Sequence, residues 1–160
     1  MVHALKYEGW RIIADAMADR MARLAWPMDV LEERTALVPV PLASSRARER
    51  GFNQSELIAR ALAPRWNVPV WNDVLVRSRS TETQTRLAPG ARLRNVAGAF
   101  DVSSAARNRL RGAHLVLVDD VVTTAATLNA CASALVQGGA RIISYVTFGR
   151  ARAASDRPLS

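Results

Sequence analysis

Three features of the chain predict an α/β fold, an open parallel sheet flanked by helices. Short apolar runs alternate with stretches whose apolar residues recur every three or four positions, the order of parallel strands joined by helical crossovers. The run Leu115, Val116, Leu117, Val118 has no polar member, as a strand covered on both faces requires. Gly138 and Gly139 then close the helical stretch that follows it.

Along the chain, residues 8–24 place Ile13, Met17, Met21 and Leu24 on one helical face. Residues 36–40 form a short apolar strand closed by Pro39 and Pro41, and residues 52–62 a helix whose apolar face is Phe52, Leu57, Ile58, Ala61 and Leu62. Strand character returns at 74–76. Next comes a polar stretch, 77–95, with Pro89-Gly90 as a turn signal. A connection of that length in a compact domain is normally either disordered or functional, and a mobile lid is the sharper reading. Residues 97–102 make a short edge strand, 115–118 a central strand ending at Asp119, 125–136 a helix and 141–148 the last strand. Residues 1–150 are thus expected to form one domain, and 151–160 a frayed tail.

Composition narrows the function classes. No apolar run approaches a membrane span and no segment has the pattern of a signal peptide, which gives a cytoplasmic reading. The lone Cys131 excludes an internal disulfide and a cysteine-based zinc site; set among Ala and Leu of a helix, it reads as a packed core thiol. His3 and His114 have no partner at useful spacing, so surface or strand-start positions are expected, and the four tryptophans are assigned to packing. The formal charge of +8 comes from arginines, with Lys6 the one lysine. Arg77, Arg79, Arg86, Arg92, Arg94, Arg107, Arg109 and Arg111 face only Glu82 and Asp101 between positions 77 and 111. Such a block attracts polyanions of any kind, a polyphosphate or DNA.

The segment that carries chemistry is LVLVDDVVTTAAT, residues 115–127. In open α/β sheets ligands sit at the carboxyl ends of strands, where Asp119 and Asp120 fall. The turn of Thr123, Thr124, Ala125, Ala126 and Thr127 opens a helix whose N-terminal N–H groups and dipole favour an anion. A sugar with a terminal phosphate satisfies both halves. Acids at a strand end and a Thr cap also occur as purely structural features.

Together, in this order, these residues resemble the 5-phosphoribosyl-1-pyrophosphate (PRPP) loop of the type I phosphoribosyltransferases. Two further segments are similar to the ComF-type competence proteins of that superfamily. One is Pro39, Val40, Pro41, Leu42, then Arg46, then Arg50, Gly51, Phe52, Asn53 and Gln54; the other is Arg77, Thr81, Gln84, Leu87, Arg92, Asn95, Val96, Ala99 and Phe100. Lys6-Tyr7 ahead of a helix fits as well.

The resemblance implies the type I phosphoribosyltransferase fold and a Mg²⁺–PRPP ligand. Asp119 and Asp120 would hold the ribose hydroxyls and stabilise developing positive charge. Thr123, Thr124, Ala125, Ala126 and Thr127 would cradle the 5′-phosphate; Ser44, Ser45 and Arg46 would face the pyrophosphate, and Arg92 would close from the lid. Mg²⁺ would bridge ribose and pyrophosphate oxygens with little direct protein ligation. The implied acceptor is a nucleobase or amine, bound under a hood for which residues 1–30 are the candidate, and the implied biology is DNA uptake and natural transformation. A second expectation, from another class, is a non-enzymatic adaptor that binds single-stranded DNA or a competence helicase through the arginine-rich face. A homodimer is compatible with both.

Three departures bear on this. The family has Gly after Thr124 where this chain has Ala125, and a loop that needs positive φ there burdens Ala with a steric cost. Ala43 stands where the family often has His. Many members carry an N-terminal cysteine-rich zinc-binding segment, and this chain begins after its place; either the protein lacks it or a start lies upstream.

Overall fold

The strands follow the apolar runs but outlast them. The computed structural model describes residues 2–42, 51–78, 98–122 and 125–150, with side chains from residue 8 onward. In chain order come α1 (Val2–Met21), α2 (Met28–Glu33), β1 (Arg34–Pro39), α3 (Gln54–Trp66), β2 (Leu75–Arg77) and β3 (Phe100–Val102). A 3₁₀ turn, Ser104–Ala106, leads into α4 (Arg107–Leu110), followed by β4 (His114–Val122), α5 (Ala126–Gln137) and β5 (Ile142–Arg150).

The main sheet is parallel with β4 central, in the order β1, β4, β5. Side-chain alternation divides its contacts between two cores. Ala36, Val38, Leu115 and Leu117 point to the face covered by Leu128, Cys131 and Leu135 of α5 and by the β2–β3 pair. Leu37, Val116, Val118 and Val146 point to the face covered by Leu57, Ile58 and Leu62 of α3 and by Ala14, Met17, Ala18 and Met21 of α1. The segment expected to act as a hood thus contributes a packing layer through the second half of α1. Cys131 is fully buried, as expected of a core thiol.

Several boundaries differ from expectation. The central strand does not end at Asp119: it runs on through Val122, because Asp119, Val121 and Val122 pair with Thr147, Gly149 and Arg150 of an equally extended β5. The first helix begins earlier and stops at Met21. The helix after β1 starts at Gln54 and continues through Pro64 to Trp66, whose buried ring packs edge-on against Trp26 at 5.3 Å. Asn67, with φ of 51°, closes it in the left-handed conformation that Asn tolerates. The strands expected at 74–76 and 97–102 do not join the parallel sheet; as β2 and β3 they pair antiparallel with each other. Helix α2 was not anticipated, and α2 buries no residue.

His114 does open a strand but is not at the surface. It is 2% exposed, and its Nε2 lies 2.9 Å from Ser144 Oγ on β5. Beside it a register shift at Arg34/Ala36 frees a backbone N–H, which donates to Thr35 Oγ1 at 3.2 Å.

Candidate functional site

The helices that follow the neighbouring strands β1 and β4 leave toward opposite faces, α3 to one core and α5 to the other. Adjacent parallel strands whose crossovers diverge open a crevice at their carboxyl ends, where such sheets bind ligands. Pairing of β1 with β4 stops at Pro39 and Val118, extended by Val40 N–H donating to the Val118 carbonyl at 3.0 Å. Beyond that point β4 overhangs β1, and the first two overhanging residues are Asp119 and Asp120.

Residues at the start of α3 close this end. Asn53 is the N-cap: its Oδ1 accepts from Ser55 N–H at 3.1 Å while its Nδ2 donates to the Val40 carbonyl at 3.0 Å. One side chain therefore ties helix start to strand end. Asn53→Ala removes both bonds and is expected to lower stability by about 1 kcal/mol, read as a lower urea midpoint at unchanged slope. Ser55, 4% exposed, then donates its hydroxyl to Asp119 Oδ1 at 2.9 Å, a contact between residues 64 positions apart.

Asp119 is half-buried, and burial raises its pKa from 3.8 to about 6. The Ser55 bond opposes that rise, the neighbouring charge of Asp120 adds to it, and the Asp120 N–H, donating to the same Oδ1 at 3.0 Å, opposes it. Oδ1 is thus the oxygen that both the Ser55 hydroxyl and the Asp120 N–H engage. Asp120, also half-buried, accepts from Val121 N–H at 2.7 Å.

Three residues past the end of β4, Ala125 has φ of 55°, the conformation that the resemblance made a condition for this position. It is the N-cap of α5 and supplies no side-chain acceptor to the first-turn N–H groups. Those of Ala126, Thr127 and Leu128 precede the first helical bond, which runs from Asn129 N–H to the Ala125 carbonyl at 2.9 Å. An uncapped helix start of this kind suits a phosphate.

The described residues therefore bring together Asp119, Asp120, Ala125, Ala126 and Thr127 of the expected site. Ser44, Ser45, Arg46, Arg92, Thr123 and Thr124 lie outside the described residues, as do most of the 77–95 stretch and the 151–160 tail. Ser55 escaped sequence reading, although a hydroxyl two places after a capping Asn is the available signal. Among the described residues no group of three His, Cys, Asp or Glu side chains gathers to hold a metal ion. Of the arginine block, Arg77 stacks over Phe100 at 5.2 Å, while Arg109 stacks over Trp71 at 5.1 Å and pairs with Asp73. Part of the positive charge is thereby committed within the fold. None of the described helices is long and apolar enough to cross a membrane.

Comparison with known proteins bears on the same region. Residues 50–158 match the model of the phosphoribosyl transferase domain family. The DNA utilization protein YhgH of Salmonella typhimurium is 36% identical over 147 residues, covering 89% of this chain and 63% of that protein. Competence protein F of Haemophilus influenzae is 35% identical over 118 residues, 74% of this chain and 50% of its own length. Competence protein ComFC of Bacillus subtilis is 34% identical over 108 residues, 68% of this chain and 41% of its own length. The chain thus spans less than two thirds of each relative. Among solved structures, the glutamine PRPP amidotransferase of B. subtilis, complexed with ADP and GMP, aligns with a TM-score of 0.55 and 17% identity. That alignment covers 84% of this chain and 26% of the other, a likeness of fold alone.

Proposed function

We propose, since this chain belongs to the phosphoribosyl transferase domain family and within it to the ComF-type competence proteins, that it binds PRPP with Mg²⁺ and transfers or holds the 5-phosphoribosyl group in a process of DNA utilization. The observation that carries this reading is the pairing of a half-buried Asp119 at the overhanging end of β4 with a helix start at a left-handed Ala125, one at each end of the same short segment.

In this reading Asp119 and Asp120 accept hydrogen bonds from the ribose hydroxyls. As the bond from C1′ to pyrophosphate lengthens, positive charge grows on the ribose ring, and the two carboxylates stabilise it. The first-turn N–H groups of α5, with Thr123, Thr124, Ala125, Ala126 and Thr127, hold the 5′-phosphate. Ser44, Ser45 and Arg46 meet the pyrophosphate, and Arg92 closes over it. A Mg²⁺ held chiefly by the substrate's own oxygens, as the resemblance implies, would leave Asp119 and Asp120 to the ribose hydroxyls. When bound, the ion would supply neutralisation of pyrophosphate charge.

A screen of nucleobases and amines with a pyrophosphate-release readout tests the transfer. Turnover with one acceptor, lost in Asp119→Asn, is the expected result. The names of the relatives and the charge of +8 favour a second reading, an adaptor for nucleic acid or a helicase. That reading predicts salt-sensitive DNA affinity and no pyrophosphate release with any acceptor.

A further inference from the structure

We infer that Ser55 is a positioning residue for Asp119: from the first turn of α3 its hydroxyl holds carboxylate oxygen Oδ1 and so fixes the orientation of the group at the end of β4. The inference rests on the PRPP reading for its functional meaning, but the contact itself stands on geometry. Ser55 is buried, so its hydroxyl has little water to compete for it, and its donor bond to Asp119 Oδ1 is 2.9 Å. The helix start that carries it is fixed on both sides, by Asn53 Nδ2 donating to the Val40 carbonyl just past β1 and by the Ser55 N–H donating to Asn53 Oδ1. Ser55 therefore spans the mouth of the crevice, from the helix that follows β1 to the acid that β4 projects past it.

The other groups around Asp119 do not replace this bond. Asp120 on the same strand adds negative charge; Cys131 on α5 is a thiol that burial keeps protonated; Arg77 on β2 acts on Cys131. Glu56, next to Ser55, is engaged by Arg60 and Asn72. Ser55 is thus the side-chain donor, among the described residues, that favours the charged form of Asp119.

Carbon-13 titration of the Asp119 carboxyl in the ligand-free protein, unmodified and as Ser55→Ala, reads the contact without any ligand. The midpoint is expected to move from about 6 to about 7 on loss of one hydrogen bond to the ionised form. Binding that requires the ionised form then weakens in proportion to its population, so PRPP affinity with Mg²⁺ falls roughly threefold at pH 6.5 and is nearly unchanged at pH 8.5. An unmoved midpoint overturns the inference, and so does an affinity loss of equal size at both pH values, which marks Ser55 as merely structural. If the midpoint moves as expected but the unmodified chain takes no PRPP at either pH, the hold of Ser55 on Asp119 is supported and the PRPP reading is the one that fails.

Discussion

Asp119→Asn is expected to yield a protein that melts higher than the unmodified chain at neutral pH and binds PRPP roughly tenfold to a hundredfold more weakly. The two effects share one cause. The folded protein holds the Asp119 proton up to about pH 6, against 3.8 for the ordinary group, because burial disfavours the charge. A carboxyl whose folded pKa is raised contributes stability while protonated, and that contribution is lost as pH rises from about 4 through about 6. At pH 7 the ionised form therefore costs up to about 3 kcal/mol. Asparagine keeps an acceptor for Ser55 without the charge, so the gain should appear above pH 6 and shrink toward pH 4. For a chain of this length each kcal/mol moves Tm by roughly 2–4 °C. What is lost is the charged acceptor: a hydrogen bond to an ionised group contributes about 1.5–3 kcal/mol. Asp120→Asn should weaken PRPP by a similar factor. Calorimetry beside melting curves at pH 4.5 and 7.5 checks both effects. Unchanged affinity in both variants would remove the acid pair from the site, and a lower melt for Asp119→Asn at pH 7.5 would contradict the burial argument.

Ala125→Gly is expected to stabilise the ligand-free protein and to tighten PRPP binding. Ala125 has φ of 55°, where its Cβ crowds the following carbonyl at about 1–2 kcal/mol. Glycine removes that strain but adds unfolded-state freedom of roughly 0.5–1 kcal/mol, leaving a net gain of up to about 1 kcal/mol. Tighter binding follows because glycine lets the backbone approach the phosphate without a methyl group in the way. The two effects separate in thermal unfolding with and without ligand, since ligand adds RT ln(1 + [L]/Kd) to stability, about 2.7 kcal/mol at a hundredfold excess over Kd. A variant that melts lower without ligand would mean the backbone strain at Ala125 is not relieved by glycine.

What could be read from the sequence was local. The central strand and its acids were legible because four apolar residues and two carboxylates sit side by side, and the positive φ at Ala125 because the family's glycine marks that position. The extension of β4 through Val122 was not, since it depends on the equally long β5 beside it. Nor was the antiparallel pairing of β2 with β3: strand character was legible at both places, but two three-residue strands with 22 residues between them carry no local sign that they pair with each other. His114 stands at a strand start, one of the two positions expected, but its burial was not legible because its partner, Ser144, comes from another strand. Ser55 was hidden for the same reason: the acid it holds lies 64 positions away. Six-residue α2 buries nothing and leaves no apolar pattern to find.

Titration calorimetry of the unmodified chain with PRPP in the presence of Mg²⁺ tests the proposed binding of Mg²⁺–PRPP in the crevice between β1 and β4. A saturable heat with one site per chain, abolished or strongly weakened in Asp119→Asn, is the expected result. No heat and no thermal shift at millimolar PRPP with Mg²⁺ would contradict it.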